Sequence, residues 1–97
     1  MLEKDKILKE MKEAIAGVDP EAEVILFGSR ARGDYNEESD WDVLVLVDRE
    51  QNDWKHKERI MDVLFEIELN NKQIITPIIR NKLFWKAIRL KTGIAFK

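Results

Sequence analysis

Apolar residues along this chain repeat with two different periods. Ile7, Leu8, Met11, Ile15 and Val18 recur at helical spacing between charged residues, so residues 3 to 16 are expected to form an amphipathic helix that ends near Gly17 and Asp19-Pro20. Glu23-Val24-Ile25-Leu26-Phe27 and Val43-Leu44-Val45-Leu46-Val47 are short, β-favouring and nearly all apolar, which predicts buried strands over 22 to 27 and 41 to 47. Asp48 to Asp53 read as a turn and a helix N-terminus. The helix then runs to about Glu68, with Asn70-Asn71 ending it. Residues 73 to 80 form a third strand, and its Pro77, lacking an N–H, belongs at an edge or a bulge. Asn81 is placed to cap a last helix over 82 to 91. The stretch Ile60 to Ile67 is apolar around more than one stripe, so part of it is expected to face a partner chain. Phe84 and Trp85 are adjacent and cannot both turn inward, which makes their helix a second candidate contact surface.

The loop between the first two strands carries the candidate chemistry. It begins Gly28-Ser29-Arg30-Ala31-Arg32-Gly33 and ends Ser39-Asp40-Trp41-Asp42. Gly28 lets the backbone turn and approach a ligand, and Ser29 offers a hydroxyl and an N–H to a phosphate oxygen. On an extended chain Asp40 and Asp42 point to one face, about 7 Å apart, while Trp41 turns to the other and packs. Two carboxylates so placed can converge on a divalent metal. A charge at Asp42, opening so apolar a strand, is costly unless something compensates it. Arg30 and Arg32 are candidates to balance triphosphate or metal-site charge. Ser39 is read as ordering the turn through a nearby backbone N–H, and Tyr35 as a residue able to stack on a base. His56 lies among Lys55, Lys57 and Glu58 and is read as a solvated helix position without a catalytic role.

Gly28-Ser29-Arg30-Ala31-Arg32-Gly33 with Ser39-Asp40-Trp41-Asp42 resembles the signature of the DNA polymerase beta-type nucleotidyltransferase superfamily. The short length, the strand from Gln73 to Arg80, the Phe84-Trp85 pair and the closing Thr92-Gly93-Ile94-Ala95-Phe96 are similar to its minimal nucleotidyltransferase branch. The resemblance implies an α+β fold, a short mixed sheet with helices packed on one side. It implies that Asp40 and Asp42 are the catalytic pair and hold Mg2+, with Mn2+ an alternative ion. It also implies that Gly28, Ser29, Arg30, Arg32 and Ser39 bind a nucleoside triphosphate, with ATP expected. The implied reaction transfers a nucleoside monophosphate, AMP, to a hydroxyl on a partner protein. Such a partner is expected to be a helical HEPN-domain protein, with this chain the antitoxin-like member of the pair. Active members carry a third carboxylate on a later strand, whereas Gln73 to Arg80 contains no Asp or Glu. Glu66 and Glu68 are the nearest substitutes. The alternative reading is therefore a catalytically weakened nucleotide-binding or partner-binding module of the same fold.

Size and charge narrow these readings. A chain of 97 residues is expected to be one domain, 1–97, too small to carry a separate acceptor-binding domain. Seventeen basic residues against 19 acidic ones give a net charge of −2, which disfavours a nucleic-acid backbone as partner. Transfer to a small molecule such as an aminoglycoside needs more chain and ranks last. Cysteine is absent, which excludes disulfides and thiolate metal sites and suits a reducing cytoplasm. No stretch has the length of a membrane span, and the mixed charges from Glu3 onward are not those of a signal peptide. A cytoplasmic location is expected.

Overall fold

The helical period at the start of the chain becomes α1 (Glu3–Val18), and the apolar runs become β1 (Glu23–Phe27) and β2 (Trp41–Val47). A five-residue helix, α2 (Gly28–Arg32), lies between those strands, followed later by α3 (Trp54–Asn71), β3 (Ile75–Asn81) and α4 (Lys82–Thr92). The computed structural model describes residues 3–33, 39–49 and 53–92, and side chains over 5–33, 39–49 and 53–88. Tyr35 and the closing Gly93 to Phe96 lie outside the described residues.

Two helix ends differ from expectation. α1 continues through Gly17, and the Asp19 N–H still reaches back to the Ile15 carbonyl at 2.8 Å. α3 runs through Asn70-Asn71 because the Asn71 amide is occupied twice, on the Ile67 carbonyl at 2.9 Å and on Glu10 Oε2 of α1 at 3.1 Å. Lys72 closes it with φ 54° and an N–H to the Glu68 carbonyl. The predicted cap on α4 is present, with the Phe84 N–H donating to Asn81 Oδ1 at 2.9 Å. Phe84 is exposed there and Trp85 half-buried.

The sheet has the order β1-β2-β3, with β1 antiparallel and β3 parallel to the central β2. A parallel neighbour requires a crossover, which α3 supplies. Trp41, Val43, Val45 and Val47 turn to one face and pack with Ile7, Met11 and Ile15 of α1 and Ile60, Leu64 and Ile67 of α3. The two long helices thus share one side of the sheet, as expected. Asp42, Leu44 and Leu46 alternate to the other face, where both leucines are also buried and α4 meets β3 and β2.

Pro77 sits at an edge for a visible reason. The Trp41 N–H donates to the Ile74 carbonyl at 2.8 Å, so Ile74, Thr76, Ile78 and Arg80 turn their peptide groups towards β2 and Pro77 turns its nitrogen outward. No ladder bond is lost. The outward N–H of Ile75 is taken by Glu68 Oε2 at 3.1 Å, which further blunts the edge.

His56 corrects the sequence reading. It is 6% exposed, with Nε2 2.9 Å from Asp19 Oδ2 in the turn after α1, and its own N–H donates to Asp53 Oδ1, the cap of α3. Among the described residues no helix is long and apolar enough to cross a membrane.

Candidate active site

The site is built where β1 ends and β2 begins. Phe27, the last residue of β1, is in register with Asp42, and Asp42 is in register with Thr76 of β3 on its other side. The chain leaves Phe27 through Gly28 at φ 75° and enters α2 directly. A β-carbon at Gly28 would overlap Asp42 Oδ2 and lie 3.1 Å from its Cγ and 3.3 Å from its Cβ. The Asp42 carboxylate therefore rests against the backbone at the start of α2, in space that only glycine leaves open.

α2 is a single turn bracketed by glycines. Gly33 closes it at φ 87°, with its N–H on the Ser29 carbonyl at 3.0 Å. Among the described residues nothing lies within 4 Å of a hypothetical β-carbon at Gly33, so its requirement is conformational, whereas that of Gly28 is also steric. No side chain caps the first turn at Phe27. The leading N–H groups of a helix lack intrahelical acceptors, and here they start beside Ser29, which is half-buried.

The two aspartates differ in setting. Asp42 is half-buried on the sheet face opposite the long helices, while Asp40 precedes the first residue of β2 and is exposed. Trp41 between them is buried in the core, as its alternation predicted. Among the described residues neither aspartate has an ion-pair partner.

Arg30 takes a place the sequence did not suggest. Only 5% exposed, it turns inward from α2 and lies 4.4 Å over the Trp41 ring. Its Nε and Nη2 both donate to the Ser39 carbonyl, at 3.2 and 3.0 Å, and Nη2 also reaches Gln73 Oε1 at 3.1 Å. The same Gln73 oxygen accepts the Trp41 indole N–H at 3.1 Å. A planar guanidinium suits this combination of carbonyl, amide and aromatic face. Arg30 thus braces α2 against the far end of the loop. Ser39 takes part through its carbonyl, and Arg32 is exposed at the end of α2. Gln73, which sequence reasoning passed over, joins both sides of the brace; its partners lie 43 and 32 residues away, so no local pattern marks it.

Neither candidate for a third carboxylate is aimed at Asp42. Glu68 is engaged at the free edge of β3 by the Ile75 N–H, and Glu66 lines the groove between α1 and α3 with Glu10 and Glu13. Ile75 points into the core, so the face of β3 beside Asp42 presents Ile74, Thr76 and Ile78. Among the described residues no group of three His, Cys, Asp or Glu side chains is arranged to hold a metal ion. What the arrangement offers is two hard carboxylates, a hydroxyl residue on each side of Asp42 in Ser29 and Thr76, and a glycine that admits close approach.

Comparison with known proteins gives the family. Residues 4–89 match the nucleotidyltransferase domain family. The chain is similar to a Methanocaldococcus jannaschii protein named "Putative protein adenylyltransferase", with 46% identity over 79 residues that span 79% of each chain. No solved structure matches it.

Proposed function

The chain belongs to the nucleotidyltransferase domain family, and from that premise we propose that it transfers AMP from ATP to a hydroxyl on a partner protein in a metal-dependent reaction. The observation that carries the reading is the contact between Asp42 and Gly28, which sets a carboxylate against the start of the turn that would receive the phosphates. The relative named as a protein adenylyltransferase supports AMP as the group and protein as the acceptor. In this reading the acceptor oxygen bonds to the α-phosphorus as the bond to pyrophosphate breaks, and the acceptor's proton passes to water.

Asp40 and Asp42 would hold Mg2+ or Mn2+, for which an all-oxygen donor set is suited. When bound, such an ion neutralises charge on the reacting phosphate oxygens. Ser29 and the first N–H groups of α2 would orient the β- and γ-phosphates. Arg32, exposed at the end of α2, would meet the triphosphate, and Arg30 with Ser39 would keep the turn in position. The HEPN-domain partner, the antitoxin-like role and a cytoplasmic setting remain parts of the proposal, supported by the motif and the lack of cysteine.

Incubating the chain with α-labelled ATP, magnesium and a helical HEPN-domain protein tests the reading. Label is expected on the partner and much less with Ser29→Ala. Equal labelling by that variant removes the turn from the mechanism. Labelling of a free aminoglycoside by the chain alone would replace the protein acceptor. Thr76 beside Asp42 favours a second reading, a weakened catalyst that binds nucleotide and turns over slowly, because no third carboxylate stands there to take the proton.

A further inference from the structure

α3 carries two apolar stripes, and among the described residues only one is used within the chain. Ile60, Leu64 and Ile67 are buried against the sheet and α1. Turned away from them, Trp54, Met61, Phe65 and Leu69 are 73%, 44%, 58% and 64% exposed. Their spacing of seven, four and four residues sets them along one side of the helix. Four large apolar side chains in a row on a surface mark an interaction site more often than scattered ones do.

The charges on α3 say what fits there. Its first nine residues hold Lys55, Lys57 and Arg59 against Glu58 and Asp62, and its last nine hold Glu66 and Glu68 with no basic residue. This order opposes the helix dipole, which favours acidic residues in the first turn and basic ones in the last; α3 has neither. Within the monomer the arrangement is therefore unfavourable. Across an antiparallel helix pair it is complementary, because each basic half would face an acidic half, whereas a parallel pair would oppose like charges.

We propose that α3 is a homodimerisation surface, on which a second copy of this chain packs its own α3 antiparallel, about a two-fold axis near Met61. The interface is isologous, with the end of the stripe at Trp54 meeting the end at Leu69 of the other copy. An 18-residue helix is about 27 Å long, so this face alone stays below the ~800 Å² per partner of a standard interface. The dimer is accordingly in exchange with monomer. The proposal is independent of the nucleotide reading, since the sheet face that carries Asp42 is the one opposite α3.

Sedimentation velocity on the full chain from micromolar to millimolar concentration tests it without reference to activity. The wild type should move from monomer to dimer, and Phe65→Glu should remain monomeric with an unchanged melting temperature. A variant with Lys55→Glu and Lys57→Glu should lose self-association, as should one with Asp62→Lys and Glu66→Lys. Mixed in equal amounts, these two should form a heterodimer, because each now supplies the charge the other lacks. A wild type that stays monomeric throughout, charge variants that dimerise as well as the wild type, or a mixture that fails to associate would each overturn the proposal. So would a helical partner protein that binds this stripe while the wild type itself remains monomeric.

Discussion

The two ends of β2 treat charge in opposite ways. Beyond Val47, where the strand finishes, polar groups are matched to one another. Asp48 lies 3.8 Å from Lys82, Arg49 lies 3.8 Å from Asp53, Asp19 is bonded to His56, and the Asn81 amide donates to the Arg49 carbonyl at 2.8 Å. Lys82 also donates to the Glu21 carbonyl, so four segments of chain are joined there. At the start of β2, Asp42 is pressed against Gly28 and neither it nor Asp40 has an ion-pair partner among the described residues. Charge at the first end stabilises the fold. Charge at the second has no such partner among the described residues, which is what the proposed binding of metal and phosphate there would require.

The sharpest way to break this contrast is to neutralise Asp42. Asp42→Asn keeps the shape and removes the charge, so the fold should be unharmed or slightly steadier as repulsion from Asp40 is relieved. Transfer, in contrast, should fall at least about a thousandfold, because charge neutralisation at a metal site is worth several kcal/mol and each ~1.4 kcal/mol is tenfold in rate. Paired thermal melts and label-transfer rates check this. A lower melting temperature with transfer retained would make Asp42 a structural residue like those at the other end.

His56→Ala tests the opposite end and should give the mirror result. Removing the ring takes away a hydrogen bond to a carboxylate, at a cost of about 2 kcal/mol, and the side chains of His56 and Asp19 are only 5% and 13% exposed. Denaturant unfolding should show that loss, while magnesium-dependent nucleotide binding measured below the new midpoint stays unchanged. If nucleotide binding weakens in step with stability, the two ends are not separable.

These two experiments also mark what could be read in the sequence. Ile7, Met11 and Ile15, the apolar run of β2, Asn81 as a cap and Pro77 at an edge all announce themselves through neighbours a few residues away, and each lies where its local pattern puts it. Gly28 with Asp42 was legible as a motif. His56, Arg30 and Gln73 were not, because their environment is made by residues 37, 9 and 43 positions distant. A histidine flanked by lysines looks solvated until the fold brings Asp19 to it. Likewise an arginine beside a phosphate-type turn gives no sign in the sequence that Trp41 and Gln73 will hold it.

Gly28→Ala should have the next largest effect, and it divides between stability and chemistry. The residue would have to hold φ near 75°, a strain of about 1–3 kcal/mol for a side chain other than glycine, and its β-carbon would displace the Asp42 carboxylate. Rotation of that carboxylate gives little relief, since Cγ and Cβ of Asp42 are also close. Displacing the group by about 1 Å should lower transfer on the order of a hundredfold. Gly33→Ala makes the control: it shares the positive φ but meets nothing within 4 Å among the described residues, so it should lose comparable stability and much less activity. Equal activity losses in the two variants would assign the effect to backbone strain alone.

The smallest expected effect is a gain, at Thr76. Its register with Asp42 sets the two side chains on neighbouring strands about 4.8 Å apart on the same face, and Thr76 is exposed, so an aspartate fits there. Thr76→Asp adds a third hard oxygen ligand at the end of β2 that has none to spare. Without metal the like charges should cost a few tenths to about 1 kcal/mol. With magnesium the ion offsets that repulsion, so the melting temperature should recover on adding the metal and affinity measured by calorimetry should rise about tenfold, equivalent to ~1.4 kcal/mol. The wild type should respond to magnesium more weakly. Transfer should rise with affinity if the missing carboxylate limits turnover. A variant destabilised equally with and without magnesium, and binding it no more tightly, would mean that Asp42 does not face a cation. The unmatched charge at the start of β2 would then need another partner to explain it.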